Sequence, residues 1–239
     1  MLTVDYDRLG LKPGMTVLDL GAGFGRHAFE TARHGVNVVA ADLALDEMES
    51  TRNTFAGMYE DGELDYSSVR AACVQANGLT LPFPENTFDR IIASEILEHV
   101  PDDLGVMAEL HRVLKRGGML AATVPAPLPE MICWKLDDNY HAPGAVGGHV
   151  RIYGRPELKM KLASVGLTPT QDHRAHALHS PYWWLKCAVG VRNDDNPLVK
   201  LYLRFLTWDI VEGPWITRTA DRVLNPVLGK SLVQYSVKA

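Results

Sequence analysis

Short β-rich runs alternate with segments of helical length between residue 15 and about residue 125, and this alternation is the feature that most limits the fold. Within the runs, apolar residues follow one another without the polar spacing of a half-exposed strand, which indicates strands buried on both faces. Strands of this kind, joined by helices, form a parallel sheet with helices on both faces. The runs are MTVLDLGAG, VNVVAADL, VRAACVQAN, FDRIIASEI and MLAATVPAP. Because ligands bind at the carboxyl ends of strands in such sheets, we expect the functional residues just after each strand.

The segment DDLGVMAELHRVLKRGG carries clear helix signals. Asp102 or Asp103 can cap its start, and apolar residues recur at helical spacing up to Leu114. Basic residues near the end and the pair Gly117 and Gly118 are typical of a helix C-terminus. We therefore predict a helix that ends at Gly117.

The composition excludes several classes of protein. A formal net charge of −5, from 24 Lys and Arg against 29 Asp and Glu, gives no general attraction to nucleic acid. The N-terminus does not resemble a signal peptide, and no stretch approaches the roughly 20 apolar residues that span a bilayer. The three cysteines, Cys73, Cys133 and Cys187, form no Cys-x-x-Cys pair, which favours reduced thiols. We therefore expect a soluble, cytoplasmic protein that does not bind nucleic acid.

A glycine-rich loop, DLGAGFGRH, joins the first predicted strand to the first helix. Gly21, Gly23 and Gly25 let the backbone turn tightly and let a ligand approach where a Cβ atom would clash. The second strand ends in Asp42, 17 residues after Gly25, where a carboxylate can accept hydrogen bonds from both hydroxyls of a ribose. A dinucleotide site would have its third glycine one residue later, at Arg26. The loop thus indicates a nucleoside-containing cofactor and disfavours a nicotinamide dehydrogenase.

An ordered series of motifs resembles the class I S-adenosylmethionine-dependent methyltransferases, in particular the type 11 methyltransferases, over about residues 15–125. The motifs are VLDLGAGFGRH, VVAADL, QANGLTLPFPENTFDRIIASEILEHV and ELHRVLKRGGMLAATVP. The resemblance implies S-adenosylmethionine as cofactor, with its methionine part at Asp19 and the glycine loop, its ribose at Asp42 and its adenine at Asn77. Many members have Asp at the Asn77 position, and a plain turn at Asn77 is the alternative. The predicted cofactor contacts are Asp19, Gly21, Ala22, Gly23, Gly25, Asp42, Leu43, Asn77, Gly78 and Ser94.

This family's common fold closes with a sixth and a seventh strand, and the C-terminal third fits both. LTPTQDHRAHAL fits the sixth, and SLVQYSVKA fits a seventh that runs antiparallel. We therefore predict one α/β domain over residues 1–239: a Rossmann-like, seven-stranded, mostly parallel sheet with helices on both faces and a helical insertion before the last strand. Its parts are a cofactor-binding core at about 15–125, an acceptor-side loop at about 126–155, the insertion at about 178–229 and the final strand at about 230–239.

The stretch SEILEHVPDD follows the fourth predicted strand, on the edge where a methyl acceptor would bind. On a helical turn, Glu95, Glu98 and His99 would face the same way. Two carboxylates and an imidazole on one face can hold a divalent ion such as Mg²⁺ or Mn²⁺. Pro101 and the aspartates after it would open the next helix.

The pattern Glu-x-x-Glu-His, with a further histidine tens of residues later, resembles the O-methyltransferases of ubiquinone biosynthesis and the enzymes that methylate the terminal ribose of small RNAs. In both groups a metal binds adjacent hydroxyls of the acceptor, and the matching ligands here are Glu95, Glu98, His99 and His149. Coordination would lower the pKa of a hydroxyl and align it with the methyl group. Without a metal, His99 or His149 would act as general base, so Glu98, His99 and His149 are the predicted catalytic residues. A metal-free substrate pocket and a purely structural role are the alternatives.

Aromatic residues are concentrated after the fifth strand. Four residues of this region are predicted to contact the acceptor: Trp134, Tyr140, His141 and Tyr153. The insertion carries all but one of the five tryptophans, which suits an apolar or ring-bearing substrate or, alternatively, the core of the added helices. Because residues 182–185 (YWWL) cannot all face inward, peripheral membrane contact or a homodimer through the insertion is a further expectation.

The sequence thus predicts an enzyme that transfers a methyl group from S-adenosylmethionine to a small-molecule acceptor. The expected target is a hydroxyl on a lipid-like, quinone-like, sugar or specialised metabolite. Ring C-methylation is the alternative within this class of enzymes. A non-catalytic S-adenosylmethionine-binding sensor or assembly module is the alternative outside it, because intact binding residues do not require that transfer occurs.

Overall fold

The computed structural model describes residues 2–140 and 148–239. Within these residues, seven strands form one sheet in the order β3-β2-β1-β4-β5-β7-β6. Neighbouring strands among β1 to β5 are parallel, whereas β7 is antiparallel to both β5 and β6. The predicted α/β fold with a mostly parallel sheet is therefore confirmed. The strands are β1 (Thr16–Leu20), β2 (Asn37–Asp42), β3 (Ala71–Gln75), β4 (Phe88–Ser94), β5 (Leu114–Pro125), β6 (Leu167–Ala175) and β7 (Ser231–Lys238).

Helices connect most of the strands, and several begin at the capping residues that the sequence indicates. The side chain of Asp102 accepts a hydrogen bond from the Gly105 amide at 2.9 Å, and Asn196 does the same for the Leu198 amide at 2.9 Å. The helices are α1 (Tyr6–Leu9), α2 (Arg26–Arg33), α3 (Leu45–Glu60), α4 (Asp103–Val113), α5 (Pro127–Leu136), α6 (Arg155–Ser164), α7 (His179–Ala188), α8 (Pro197–Glu212) and α9 (Trp215–Leu228).

The sheet is covered on both faces, as its continuous apolar strands require. Val38 and Ala40 of β2 pack in a cluster with Phe55 of α3, whereas Ala41 points to the other face and joins the largest core cluster. That cluster includes Leu110 of α4 together with residues of α6, β1, β4 and β5. Both faces of the strands are thus removed from water, which leaves the carboxyl ends of the strands as the accessible edge.

The predicted helix end at Gly117 is wrong. Helix α4 ends at Val113, and the chain continues directly as β5 from Leu114. Leu114 pairs with Phe88 of β4, and its carbonyl oxygen accepts a hydrogen bond from Lys238 Nζ at 2.8 Å. These long-range contacts place the segment LKRGG in the sheet, although its local composition is typical of a helix C-terminus.

The predicted acceptor-side loop, 126–155, contains a helix. Helix α5 starts with Pro127 in its first turn, where a missing N–H costs nothing, and it carries Trp134. Cys133 of α5 and Cys187 of α7 belong to one buried cluster, with Trp183 and Trp184 packed against it. The insertion is thereby joined to the segment after β5, above the carboxyl ends of the strands.

The insertion between β6 and β7 consists of α7, α8 and α9, as predicted. Its outer surface is rich in exposed apolar side chains: Leu198, Leu201, Leu203, Trp208, Ile210, Val211, Trp215, Ile216, Val223, Leu224 and Val227. None of the helices in the described residues has the length and apolar character needed to cross a bilayer. A membrane or dimer contact through the insertion stays a prediction.

Candidate functional site

A cavity of about 620 Å³ opens at the carboxyl ends of β1, β2 and β4. This is the edge at which a parallel α/β sheet binds its ligands. The lining residues are Leu20, Gly21, Gly23, Asp42, Leu43, Glu47, Ala76, Asn77, Gly78, Glu95, Ile96, His99, Val100 and Val106. Most of the predicted cofactor contacts thus meet in one cavity, together with Glu95 and His99 from the predicted metal set.

The glycine loop needs glycine for both its backbone conformation and its close packing. Gly21 has a φ of +70°, and a Cβ atom there would lie 2.9 Å from Cγ2 of Ile96. Gly25 has a φ of +82°, and a Cβ atom there would lie 2.5 Å from the Phe29 ring. The left-handed region strains residues other than glycine, so a side chain at either position would strain the backbone and displace its neighbour.

Asp42 lies at the tip of β2 and ties the glycine loop to it. One carboxylate oxygen accepts a hydrogen bond from the Gly23 amide at 2.9 Å, and the other accepts one from the Ala44 amide at 3.0 Å. Glu47, in the first turn of α3, lines the same part of the cavity. Partial burial and the negative charge of Asp42 raise the pKa of Glu47. Sequence analysis missed Glu47, although its place one helical turn after a strand tip was an available signal.

Asp19 lies behind the glycine loop, fully removed from solvent, instead of lining the cavity. Within the described ranges, neither of its carboxylate oxygens has a hydrogen-bond partner. Burial raises its pKa from 3.8 to about 7, with the positive charge of Arg26 acting in the opposite direction. Such a carboxyl group is under-satisfied in the protein alone, which fits a position close to a polar or cationic ligand group.

The remaining predicted cofactor residues fall into two groups. The Asn77 side chain accepts a hydrogen bond from the Leu79 amide at 3.0 Å, so it forms the turn that was the alternative while still lining the cavity. Ser94 is buried below the cavity, where its hydroxyl lies 3.0 Å from Thr123 Oγ1 and accepts a hydrogen bond from Arg26 at 3.0 Å. Ala22 and Gly25 are buried within the loop and support it from behind.

The stretch after β4 is a turn, so the prediction that Glu95, Glu98 and His99 share one face of a helix is wrong. Glu95 has a φ of +56°, in the left-handed region. Its amide donates to the Thr123 carbonyl at 3.0 Å, and its carboxylate accepts a hydrogen bond from the Thr123 hydroxyl at 2.9 Å. These two bonds to β5 fix the backbone in that conformation and turn the Glu95 side chain toward Thr123.

Three of the four predicted metal ligands come together. Single ligand atoms from Glu98, His99 and His149 all lie within 4.8 Å of one another, and the structure does not bring Glu95 into this group. Glu98 is fully buried, and among residues 2–140 and 148–239 neither of its carboxylate oxygens has a hydrogen-bond partner. Burial, together with the negative charge of Glu95, raises the pKa of Glu98 well above its ordinary value.

Both histidines are held through Nδ1. His99 Nδ1 lies 3.1 Å from the Gly148 carbonyl oxygen. His149 Nδ1 lies 2.6 Å from a carboxylate oxygen of Glu130. Carbonyl and carboxylate oxygens only accept, so Nδ1 is the donor in each contact. In metal sites, such partners fix both the tautomer and the orientation of the ligating ring.

Glu130 is a site residue that sequence analysis missed. Trp134 Nε1 donates to one of its oxygens at 3.0 Å, and the Tyr140 hydroxyl donates to the other at 3.3 Å. Burial acts to raise the pKa of Glu130, but the hydrogen bonds from His149 and Trp134 and the positive charges of His149 and Lys230 together outweigh it, so the pKa is lowered. The sequence analysis assigned the segment that contains Glu130 to a loop. In the structure this segment is helix α5, and the Glu130 side chain contacts His149.

The predicted acceptor contacts are placed differently from the expectation. Trp134 and Tyr140 hold Glu130. The prediction for Tyr153 is wrong, because this residue is fully buried in the main core and its hydroxyl donates to the Asp103 carboxylate. His141 lies outside the described residues.

Comparisons with known proteins find relatives of this chain and solved structures with the same fold. A family model described as a methyltransferase domain matches residues 18–122. A demethylmenaquinone methyltransferase of Corynebacterium urealyticum is 40% identical over 198 residues, which cover 82% of this chain and 77% of that protein. A cycloartenol-C-24-methyltransferase of Arabidopsis thaliana is 34% identical over 165 residues, 67% of this chain but only 43% of the relative's length. The solved structure of a SAM-dependent methyltransferase from Methanosarcina mazei has the same fold, with a TM-score of 0.65 at 14% identity and coverage of 98% and 97%.

Proposed function

Since the chain belongs to the class I S-adenosylmethionine-dependent methyltransferases, we propose that it transfers the methyl group of this cofactor to a hydroxyl of a small-molecule acceptor. The observation that carries the proposal is the cluster of Glu98, His99 and His149 at the edge of the cofactor cavity, of which His99 is a lining residue. The cluster combines a buried carboxyl group with two oriented imidazoles, which suits the binding and deprotonation of a hydroxyl.

The cavity offers suitable partners for each part of the cofactor. Asp42 and Glu47 are the carboxylates available to the ribose hydroxyls, and the bare backbone at Gly21 admits the methionine part. Leu43 and Val106 supply apolar walls for the adenine ring. The bound cofactor supplies an electrophilic methyl group on a positively charged sulfur. The chain itself has to hold the acceptor oxygen in line with that methyl group and to remove its proton.

Glu98, His99 and His149 also fit a divalent cation. A buried carboxyl group without a hydrogen bond is costly, and a cation would satisfy both Glu98 oxygens while the two imidazoles complete the donor set. With two imidazoles and one carboxylate, the set suits Mn²⁺ better than the oxygen-preferring Mg²⁺. A cation held there would lower the pKa of an acceptor hydroxyl, and Glu130 would keep His149 in the ligating tautomer.

Metal binding can be tested without knowing the acceptor. Mn²⁺ titration followed by electron paramagnetic resonance should detect one bound ion in the wild-type protein, and Glu98→Gln should bind at least about tenfold more weakly. Glu157→Gln, a change of the same kind on the exposed side of α6, should bind as the wild type does. Stoichiometric binding that survives Glu98→Gln unchanged would rule out this site.

The reaction is tested by incubating the protein with labelled S-adenosylmethionine and panels of phenols, polyols and isoprenoid alcohols, with and without EDTA. An O-methylated product whose formation EDTA abolishes and Mn²⁺ restores is the expected result. O-methylation that is fully active in EDTA would refute the metal while retaining the hydroxyl acceptor. Cofactor binding without transfer to any acceptor in the panel would favour the non-catalytic binding module.

Ring C-methylation is the second candidate. The relative that is 40% identical over 82% of this chain is named a demethylmenaquinone methyltransferase, and a relative that is 31% identical over 70% of this chain is named a ubiquinone/menaquinone biosynthesis C-methyltransferase. On a hydroxylated ring, the same cluster would remove the hydroxyl proton and leave a neighbouring carbon as nucleophile. Nuclear magnetic resonance of the product separates the two outcomes, because it identifies a methyl group on oxygen or on carbon.

A further inference from the structure

A second cavity, of about 190 Å³, adjoins the cofactor cavity. Its lining residues are Thr3, Arg26, Glu95, His176, His179, Trp183, Lys230 and Ser231. Glu95 lines both cavities, so the two cavities adjoin at this side chain. Helix α7 covers the second cavity with His179 and Trp183, and the start of β7 forms its base.

The walls of the second cavity carry a net positive charge. Arg26 and Lys230 are the two cationic side chains, and Glu95 is the single carboxylate among the lining residues. Burial lowers the pKa of His176 to about 3 and that of His179 to about 4, so both rings are neutral near pH 7. Among the lining residues, the cationic side chains therefore outnumber the carboxylates by one.

Lys230 is the cation best placed to meet such a ligand. Across the described part of the chain, no carboxylate oxygen lies within 4.0 Å of its ammonium group, which instead faces the Trp183 ring at 5.4 Å from the centroid. The cavity that Lys230 lines shares Glu95 with the cofactor cavity, and His99 of the Glu98, His99 and His149 cluster also lines the cofactor cavity. The two places therefore adjoin, and one acceptor can span both.

We propose that the second cavity binds a carboxylate group of the methyl acceptor through Lys230 and Arg26. The acceptor would then be a hydroxylated acid, anchored by its carboxylate in the second cavity while its hydroxyl reaches the cluster. Trp183 provides an apolar wall for the part of the molecule between the two groups. This inference rests on the proposed function in one respect, because it takes the ligand of the second cavity to be the methyl acceptor.

The test compares two probes of nearly equal size, 3,4-dihydroxybenzoate and 3,4-dihydroxybenzyl alcohol, which differ in the negative charge. Calorimetry with the full chain and S-adenosylhomocysteine should show about tenfold tighter binding of the acid. Lys230→Met should remove this preference, Lys230→Arg should keep it, and Lys159→Met on the exposed side of α6 should leave it unchanged. Thermal unfolding of each variant separates a lost charge from a lost fold.

Several outcomes would overturn the proposal. These are equal or undetectable binding of the two probes to the wild type, or a preference for the acid that survives Lys230→Met in a folded protein. Tighter binding of inorganic phosphate than of the acid would assign the cavity to a phosphate group instead. Repeating the titrations in EDTA keeps the two proposals distinguishable: loss of the metal should weaken both probes alike, whereas the preference for the acid should persist.

Discussion

Replacing Glu130 by glutamine tests whether α5 positions His149 for the chemistry. Glu130→Gln keeps the shape of the side chain but removes its negative charge, and the 2.6 Å bond from His149 then has an uncharged acceptor. Hydrogen bonds to charged groups contribute about 1.5–3 kcal/mol and neutral ones about 0.5–1.5 kcal/mol, so about 1–1.5 kcal/mol of orientation is lost. This corresponds to roughly a tenfold loss of Mn²⁺ affinity or of kcat.

The measurement separates positioning from general damage. We expect kcat to fall while the Kd for S-adenosylhomocysteine, measured by calorimetry, stays within about twofold, because Glu130 does not line the cofactor cavity. Trp134→Phe, which removes one donor to the same carboxylate, should give a smaller change in the same direction. Wild-type Mn²⁺ affinity and wild-type kcat in a folded Glu130→Gln variant would refute the reasoning.

Three further predictions follow from the site and the core. Gly21→Ala should weaken binding of S-adenosylhomocysteine at least about tenfold in calorimetry, because the new Cβ atom would meet Ile96 at 2.9 Å in a left-handed conformation; unchanged affinity would contradict this. Because burial raises the pKa of Asp19 to about 7, the folded state binds more protons than the unfolded state between about pH 4 and 7, so stability falls as the pH rises through that window. Urea unfolding of the cofactor-free wild type should show this loss, to which Asp19 contributes up to roughly 2–4 kcal/mol, and Asp19→Asn should lose correspondingly less stability over the same window. Tyr153→Phe should lower the free energy of unfolding by about 1–2 kcal/mol, because the buried Asp103 carboxylate loses a hydrogen-bond donor. The KM for the acceptor should not change. A raised KM would show that Tyr153 contacts the acceptor after all.

The elements of the fold were predictable where local and long-range forces agree. In β1 and β2, residues such as Val17 and Val38 are apolar, β-prone and buried, so the local pattern matches the final environment. The boundary between α4 and β5 was not predictable in this way. The residues from Leu114 to Gly118 read as the end of a helix, and only their pairing with β4 and the hydrogen bond from Lys238 place them in a strand.

The candidate site divides along the same line. The glycine loop and Asp42 were predictable because their function depends on backbone conformation and on a position at the end of a strand. Both properties can be read from the neighbouring residues in the sequence. Glu95 was misplaced because its left-handed φ is imposed by bonds to Thr123, 28 residues later in the chain. Glu130 was missed because its role depends on His149, a partner whose position no local pattern reveals.

The placement of β7 sets an order of assembly for the molecule. β7 pairs with both β5 and β6 but follows both in the chain, and paired residues such as Thr123 and Val233 are 110 positions apart. Such distant pairings close slowly, and until they form, the edge of β5 is open to other strands. All residues that line the cofactor cavity precede residue 107, whereas the second cavity needs Lys230 and Ser231. During synthesis, the parts of the cofactor pocket therefore leave the ribosome long before the chain can build a place for the acceptor.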